Sequence, residues 1–302
     1  MTRWFLLVLG FAAALSALPD RARACASCSC GDMTLTATGV ERPYKNRVRV
    51  AVEERYGSLT MGDPMRYGER VSFLRSSLAM SWSPLKWFTL NALMPWVTSW
   101  IQSMQHAPTE QVNGLGDLEL SGRFLVFKPR GFAPHHLLWL NAGVKAPTGY
   151  RVYDAEGYPF PDDDQPGSGS WDPFAGVTYA WFSGELLSFY GSTSYRYTTA
   201  GPRGYKRGST LGSTAALQLQ PFKWGAVALG GDVVWQQADT LPNGAAAPST
   251  GGVVGYFAPA LLASPLRDLL IRVVVDVPIA SHLYGTQTVG PQVALSIAYD
   301  VR

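Results

Sequence analysis

Three cysteines stand close together near the start of the chain, and they are the only cysteines among its 302 residues. Cys25, Cys28 and Cys30 form a C-x-x-C-x-C cluster. In an oxidising compartment this cluster predicts one disulfide and one remaining thiol, which could pair with another chain or carry a lipid. Soft thiolates at this spacing also suit Cu(I) or Zn(II), although three ligands leave such a site open. The cluster is therefore a candidate for a disulfide, a metal site, lipidation or the docking of a periplasmic partner.

A second set of candidates consists of charged and amide side chains that alternate with apolar residues. With period two, these polar side chains share one face of a strand and the apolar residues share the other. In a barrel with an apolar exterior the polar face points inward, where it either forms a salt-bridge network that holds the wall together or lines a polar conduit. The lumen-lining candidates are Arg47, Arg49, Glu53, Arg55, Asn91, Asp117, Glu119, Arg123, Asn141, Lys145, Asp232, Arg272, Asp276 and Gln292.

An acidic run, Asp162, Asp163 and Asp164, lies in the longest predicted loop, 148–170. Long exposed loops are where binding functions concentrate. The run is a solvated loop tip on one interpretation. On the other it captures Ca²⁺ or a cation bound to lipopolysaccharide.

Catalysis finds little support in the side chains present. The histidines are His106, His135, His136 and His282, and all four fall in predicted turns or loops. Their spacing does not assign a serine, a histidine and a carboxylate to one site. The glycine-rich stretches precede strand patterns and not helices, so they do not predict a phosphate-binding loop. We predict no enzymatic activity and no cofactor.

The elements that position these candidates are long strands. The alternation is clearest over 116–127, where Leu118, Leu120 and Phe124 share one face and Asp117 and Glu119 take the other. Strands of about 10 to 15 residues are too long for most globular sheets and match the 9 to 11 residues that a tilted strand needs to cross a bilayer. Twelve strands are predicted, at 46–57, 69–82, 86–99, 116–127, 137–147, 171–182, 185–198, 207–220, 223–237, 251–263, 268–277 and 292–301.

The connections between these strands alternate between two kinds. Tight turns contain Pro84, Pro129, Pro221 and Pro265, because proline presets a turn angle and cannot donate to a ladder. The longer polar stretches are predicted at 57–68, 100–113, 148–170, 199–206, 238–250 and 281–288. Short turns on one rim and long loops on the other are the plan of bacterial outer-membrane barrels, with the short turns in the periplasm.

The beginning of the chain predicts export. Arg3, an apolar stretch and Ala22-Arg23-Ala24 have the pattern of a cleaved signal peptide over 1–24. The predicted organisation is then a cysteine-containing segment over 25–45 and a barrel over 46–302. Charged residues make up 16% of the chain and the net charge is +3, which is too mild and too evenly spread for nucleic-acid binding. No later run of 18 apolar residues predicts a spanning helix.

Three glycine-rich motifs resemble one protein family. GLGDL at 114–118, GVKAPTG at 143–149 and PGSGS at 166–170 are similar to motifs of the putative meta-pathway phenol degradation family, over about residues 113–302. This resemblance implies an outer-membrane barrel and the passage of small apolar or aromatic compounds. It carries no functional residues over to this chain. The cysteine-rich start and the final Arg302 depart from the family pattern.

The sequence as a whole predicts an all-β protein, an antiparallel transmembrane β-barrel of about 12 strands in a bacterial outer membrane. The first functional hypothesis is a passive channel for small solutes in contact with lipid and lipopolysaccharide. The alternative is a non-transporting barrel, a scaffold or binding module whose cysteine-rich N-terminus engages a periplasmic partner or a metal.

Overall fold

Strands make up most of the chain that the structure describes. A computed structural model describes residues 44–62, 68–103, 109–129, 135–184 and 186–301. The predicted signal peptide and the three cysteines lie outside these residues. Among the described residues, no helix is long and apolar enough to cross a membrane. The strands are β1 (Arg47–Met61), β2 (Glu69–Leu85), β3 (Phe88–Ser103), β4 (Glu110–Leu115), β5 (Leu118–Phe127), β6 (His136–Ala146), β7 (Asp172–Ser183), β8 (Leu187–Arg196), β9 (Thr210–Phe222), β10 (Gly225–Gln236), β11 (Gly252–Leu266), β12 (Leu269–Leu283), β13 (Gln287–Val289) and β14 (Gln292–Val301).

The sheet closes on itself as an antiparallel barrel. Most strands pair with their neighbours in the chain, and β1 pairs with β2 on one side and with β13 and β14 on the other. At two positions around the barrel the strand is interrupted and counted as two: β4 and β5 both pair with β3, and β13 and β14 both pair with β1. The fourteen strands therefore occupy twelve strand positions around the barrel. The predicted all-β antiparallel barrel of about 12 strands is confirmed.

The interruptions explain where the predicted loops were wrong. Parts of the predicted loops 100–113 and 281–288 are strand, because β3 runs to Ser103, β4 begins at Glu110 and β12 runs to Leu283. Gly116, and Gly290 with Pro291, interrupt the alternating pattern in the sequence. The strand pairing nevertheless continues beyond them, because β4 pairs with β3 and β13 pairs with β1. The pairing of β12 with β14 stops at Asp276 opposite Gln292.

Short connections lie at one end of the barrel, which we call the turn side, and long ones lie at the other, the loop side. The turn-side connections include 86–87, 223–224 and 267–268. The prolines predicted within these turns lie in the strands just before them. Two residues ending at Pro84, Pro221 or Pro265 oppose one residue of the next strand. Such a bulge accommodates proline because the extra residue has no ladder bond to donate.

The outer surface is apolar over much of its height. Outward side chains alternate with inward ones along every long strand, as in β14, where the outward positions are exposed and the inward positions are buried. The exposed belt includes Leu78, Met80, Leu120, Leu229, Leu261 and Ile297, each at least 44% exposed. A contiguous apolar band on the outside is typical of lipid-facing barrels.

The turn-side half of the interior is filled by side chains. Small inward alanines leave room for the larger Leu137, Trp139 and Tyr190, all within 2% of complete burial. The Arg123 guanidinium lies over the Trp139 ring, 4.3 Å from its centroid. Arg272 is 1% exposed in the same half. The barrel is therefore a packed core toward the turn side, and its open volume lies toward the loop side.

Ion pairs tie the first strand to the last at the turn-side rim. Arg49 donates from Nε and Nη2 to the two carboxylate oxygens of Asp300 at 2.6 and 2.8 Å, and Arg47 Nε reaches Asp300 Oδ1 at 3.1 Å. The Asp300 side chain is 10% exposed and both arginines are 3% exposed. One carboxylate thus bonds to two buried guanidinium groups at the seam between β1 and β14.

We expect the Asp300→Asn substitution to lower the free energy of unfolding by about 3–5 kcal/mol, because removing one partner leaves buried charge uncompensated. Urea titration of the refolded barrel, followed by the ratio of compact to unfolded bands on unboiled gels, measures the change. The wild-type protein should migrate faster unboiled than boiled. Glu156→Gln, an exposed loop carboxylate, is the control and should stay within about 0.5 kcal/mol of wild type. Equal midpoints for the two variants would contradict a structural role for the seam.

Candidate functional site in the barrel lumen

Two cavities occupy the loop-side half of the lumen. The first has a volume of about 480 Å³ and is lined by residues of β1, β2, β3, β5, β8 and β10 to β14. The second, of about 420 Å³, lies beneath the loop between β6 and β7. Arg75, Glu119 and Arg196 line both cavities. These cavities are the candidate site.

The structure places every predicted lumen residue on an inward position, but it divides them between the cavities and the packed core. The cavity-lining members are Glu53, Arg55, Asp117, Glu119, Lys145, Asp232, Asp276 and Gln292. The members that lie outside both cavities are Arg47, Arg49, Asn91, Arg123, Asn141 and Arg272. Asn91 and Asn141 bond across the sheet to Ser121 and Thr178. The role of the whole predicted set of lumen residues in solute passage stays a prediction.

A charged network crosses the wall of the first cavity. Arg55 Nη1 donates to Asp276 Oδ2 at 2.6 Å and Arg55 Nε donates to Glu53 Oε1 at 3.3 Å. The other Glu53 oxygen accepts from the Ser296 hydroxyl at 2.7 Å. This network links β1, β12 and β14, so it both lines the cavity and joins the strands. The two interpretations of the inward charges, structural network and polar lining, apply to the same residues here.

Asp117 organises the wall of the second cavity. Lys145 Nζ lies 2.8 Å from Asp117 and 2.6 Å from Asp172. Asp117 also accepts from the backbone N–H groups of Gly149 and Ser168, at 3.0 and 2.7 Å. A Cβ at residue 167 would lie 2.6 Å from an Asp117 oxygen, so only glycine allows this approach. The three glycine-rich motifs therefore meet around one carboxylate.

The loop over 147–171, which we call the mouth loop, folds across the loop-side opening. Phe160 is buried against Val71, Ile101 and Val112 of the barrel wall. Gln165 bonds to the backbone of residues 152 and 160, with distances of 2.8 to 3.0 Å. The loop is held by a small apolar cluster and by its own backbone contacts.

The acidic run in the mouth loop is not a solvated tip. Asp162 pairs with Arg151 and with Arg203, the latter at 2.8 Å. Arg207 Nη2 donates to the carbonyl oxygens of residues 162, 163 and 165. Asp163 and Asp164 line the second cavity. The tip interpretation was wrong because Arg203 and Arg207 come from the next loop-side connection, 197–209, and Arg151 comes from the mouth loop itself.

Several cavity residues were absent from the predicted set. Arg75 and Arg196 lie on inward positions of predicted strands, and the parity of those strands could have identified them. Tyr256 lines the first cavity and Asp172 the second. Asp172 is the first residue of β7. Because a predicted strand boundary can be wrong by a residue or more, the sequence alone does not show whether the Asp172 side chain points inward.

The remaining chemical candidates lie elsewhere. His136 begins β6 and His282 lies within β12, so placing them in turns or loops was wrong. His135 lies in a turn-side connection, and His106 is outside the described residues. Within the described ranges, no group of three or more histidine, cysteine, aspartate or glutamate side chains is placed to hold a metal ion.

Comparison with known proteins identifies the fold. No protein-family model and no curated protein matches the chain, so the resemblance to the phenol degradation family stays a prediction. An outer membrane channel from Pseudomonas putida F1 superimposes with a TM-score of 0.65 at 13% identity, over 91% of this chain and 100% of that one. The chain therefore shares the β-barrel fold of that outer membrane protein.

Two further solved structures are less similar. The NanC porin gives a TM-score of 0.44 at 10% identity, over 83% of this chain and 99% of that one. The CymD monoaromatic hydrocarbon channel gives 0.44 at 8% identity, over 85% and 88%.

Asp164 is a mouth-loop residue whose pKa is shifted by its surroundings. Burial, together with the nearby carboxylates of Asp163, Glu69 and Glu110, raises its pKa to about 7, and Arg207 opposes the shift. Between pH 3.8 and about 7, Asp164 is therefore protonated when the loop is docked and ionised when the loop is released. Docking weakens as the pH rises through this window, and the penalty is complete above it.

We expect the mouth loop of the wild type to be less protected at pH 8 than that of Asp164→Asn, because the asparagine stays neutral. Hydrogen exchange of amides 160–168, compared between the two proteins at the same pH, measures the difference. At pH 3, below the pKa of Asp164 in both the docked and the released loop, the two proteins should exchange alike, and Glu156→Gln should match wild type throughout. Equal protection of wild type and Asp164→Asn at pH 8 would show that Asp164 does not titrate in the docked loop.

Proposed function

We propose that the chain is a passive outer-membrane channel for small solutes. The observation that carries the proposal is a polar-lined cavity of about 480 Å³ enclosed by a closed barrel with an apolar exterior. The exterior belt supports a location in lipid, with lipopolysaccharide as a neighbour on the loop side and the turn side toward the periplasm. The shared fold with an outer membrane channel is consistent with this location.

The charge on the cavity wall favours solutes without a large net charge. Carboxylates and guanidinium groups face the same space, and neither sign dominates strongly. The ionisable side chains that line the first cavity are Glu53, Glu119, Asp232, Asp276, Arg55, Arg75 and Arg196. We therefore propose neutral or zwitterionic molecules as the permeating class.

The packed turn-side half sets the rate of passage. A solute that leaves the cavity toward the turn side meets Trp139, Tyr190 and Arg272, which are almost completely buried. These side chains must change rotamer for a path to open, so the channel passes small molecules slowly. The resemblance to the phenol degradation family adds apolar or aromatic compounds as candidate solutes, and Leu59, Val254 and other apolar side chains in the cavity wall suit them.

The same packed half favours a second candidate function. A barrel whose interior is filled can serve as a scaffold without transporting anything, and the cysteines at 25, 28 and 30 would then engage a periplasmic partner or a metal. Replacing all three cysteines with serine should abolish that capture and leave the barrel folded. Capture that survives the replacement would rule out this role.

Truncating the packed half should widen the path. We expect Trp139→Ala to raise single-channel conductance in planar bilayers, and solute uptake in liposomes, because it removes the largest buried side chain between the cavity and the turn side. Trp82→Ala is the matched control, since Trp82 faces outward, is 44% exposed and should leave conductance unchanged.

The decisive measurement is the conductance and solute uptake of the wild-type protein. Absence of both conductance and uptake in the wild type and in Trp139→Ala, with the heat-dependent gel shift intact, would overturn the channel proposal and support the scaffold. Conductance that rises equally in both tryptophan variants would show that the packed half does not set the rate.

A further inference from the structure

The strand pairing of the barrel is interrupted at one place on the loop side. β12 pairs with β14 only as far as Asp276 opposite Gln292, and the remainder of β12, 277–283, pairs with β11 alone. β13 occupies the same position around the barrel as β14, but it pairs with β1 and with no other described strand. One edge of β12 and one edge of β13 therefore face each other without a ladder between them.

Two prolines explain why the pairing stops at this level. Pro278 lies in β12 just beyond the last pair, and Pro291 directly precedes β14. Neither has an N–H group to donate to a ladder, and proline within a sheet is confined to free edges and bulges. Gly290 donates instead to the Ser58 carbonyl of β1 at 2.8 Å. The connection between β13 and β14 is thus held against β1 and away from β12.

The gap is a framed opening, which we call the side window, between 276–283 and 287–292. The pair of Asp276 and Gln292 forms its turn-side edge. Gln287 forms its loop-side edge, since Nε2 donates to the carbonyl oxygens of Gly251 at 3.0 Å and Tyr284 at 2.6 Å. β12 and β13 are its two sides. The side window is therefore bounded all round and is not a frayed end of the barrel.

The first cavity lies directly behind the side window. Asp276 and Leu283 on one side of the window, and Gln287 and Val289 on the other, line this cavity. Thr288 alternates with the inward Gln287 and Val289, so it points outward, and it is exposed. Thr288 nevertheless also lines the first cavity. Because an outward residue of an unbroken wall does not border the lumen, the cavity reaches the outer side of the barrel at this window.

The outside of the side window is apolar toward the turn side and polar toward the loop side. Val277, Ile279 and Val293 are 39%, 69% and 45% exposed and continue the exterior belt up to the window. Ser281 and His282, nearer the loop side, are also exposed. This order indicates that the window lies where hydrocarbon gives way to lipid head groups. Free ladder groups are costly in lipid unless they line a water-filled cavity, and this free edge borders the first cavity.

We propose that the side window is a lateral passage between the first cavity and the lipid of the membrane. A molecule in the cavity then reaches lipid without crossing the packed turn-side half, where Trp139 and Tyr190 fill the lumen. The two exits differ in what they carry. Molecules that dissolve in lipid leave through the window, whereas ions must take the path through the packed half. This inference rests on the proposed function, to which it adds a second route.

The test places a removable plug at the side window. Thr288→Cys and its matched control, Thr60→Cys, are made in a full-length chain whose three native cysteines are replaced with serine. Thr60 and Thr288 are Cα partners and both point outward, but Thr60 does not line the first cavity. Each new cysteine is coupled to a bulky methanethiosulfonate reagent, which dithiothreitol later removes. Mass spectrometry confirms the coupling, and the heat-dependent gel shift shows that each variant is folded.

Two measurements separate the lateral passage from the path through the packed half. Entry of N-phenyl-1-naphthylamine into the outer membrane of intact cells reports the lateral passage, because this dye fluoresces once it is in lipid and lipopolysaccharide slows its direct entry. Single-channel conductance in planar bilayers reports the path through the packed half. We expect the adduct at position 288 to abolish the protein-dependent part of dye entry, reversibly with dithiothreitol, and to leave conductance unchanged. The adduct at position 60 should change neither.

Three results would overturn the lateral passage. These are equal dye entry in the two labelled variants, wild-type dye entry no faster than in cells without the protein, or a conductance loss at position 288 that parallels the loss of dye entry. Wild-type conductance combined with any of them would leave the channel proposal standing. Absence of conductance, with dye entry blocked only by the adduct at position 288, would support the lateral passage and remove the aqueous channel.

Discussion

A strand that crosses lipid finds no water for its N–H and C=O groups, so each must pair with another strand. In this chain the pairing of β1 with β14 closes the wall and removes the two free edges that an open sheet would expose. Closure also fixes the inward and outward positions of every residue, since a shift by one residue would turn a whole strand inside out. The apolar belt, the packed half and the polar cavity all follow from that fixed parity.

Fixed parity brings charged side chains into a confined interior, where each must find a partner. The seam at Asp300 and the hub at Asp117 show two solutions, in which one carboxylate serves two cations or one cation and several backbone donors. The network around Arg55 is different, because the buried atoms Arg55 Nη2 and Asp276 Oδ1 have no hydrogen-bond partner among the described residues. The residues of this network therefore join the strands and also line the first cavity.

The sequence contained much of this fold, because alternation is a local property. Strand number, antiparallel order and the inward orientation of residues such as Glu53 and Lys145 all follow from period two and from turn composition. The division of inward residues between packed core and cavity could not be predicted, because it depends on how far Trp139 and Tyr190 reach across the lumen. The position of the mouth loop also could not be predicted from local sequence patterns. Phe160 packs on strands far away in the chain, and two of the arginines that bind the acidic run, Arg203 and Arg207, come from another connection.

The mouth loop is fastened in two ways that respond differently to ionic strength. The pair of Arg203 and Asp162 is partly exposed, with side-chain exposures of 40% and 21%, and dissolved salt screens such a pair. The contacts of Phe160 with Val71, Ile101 and Val112 are apolar, and salt does not weaken them. The apolar anchor therefore keeps the mouth loop against the barrel wall at salt concentrations that screen the ion pair.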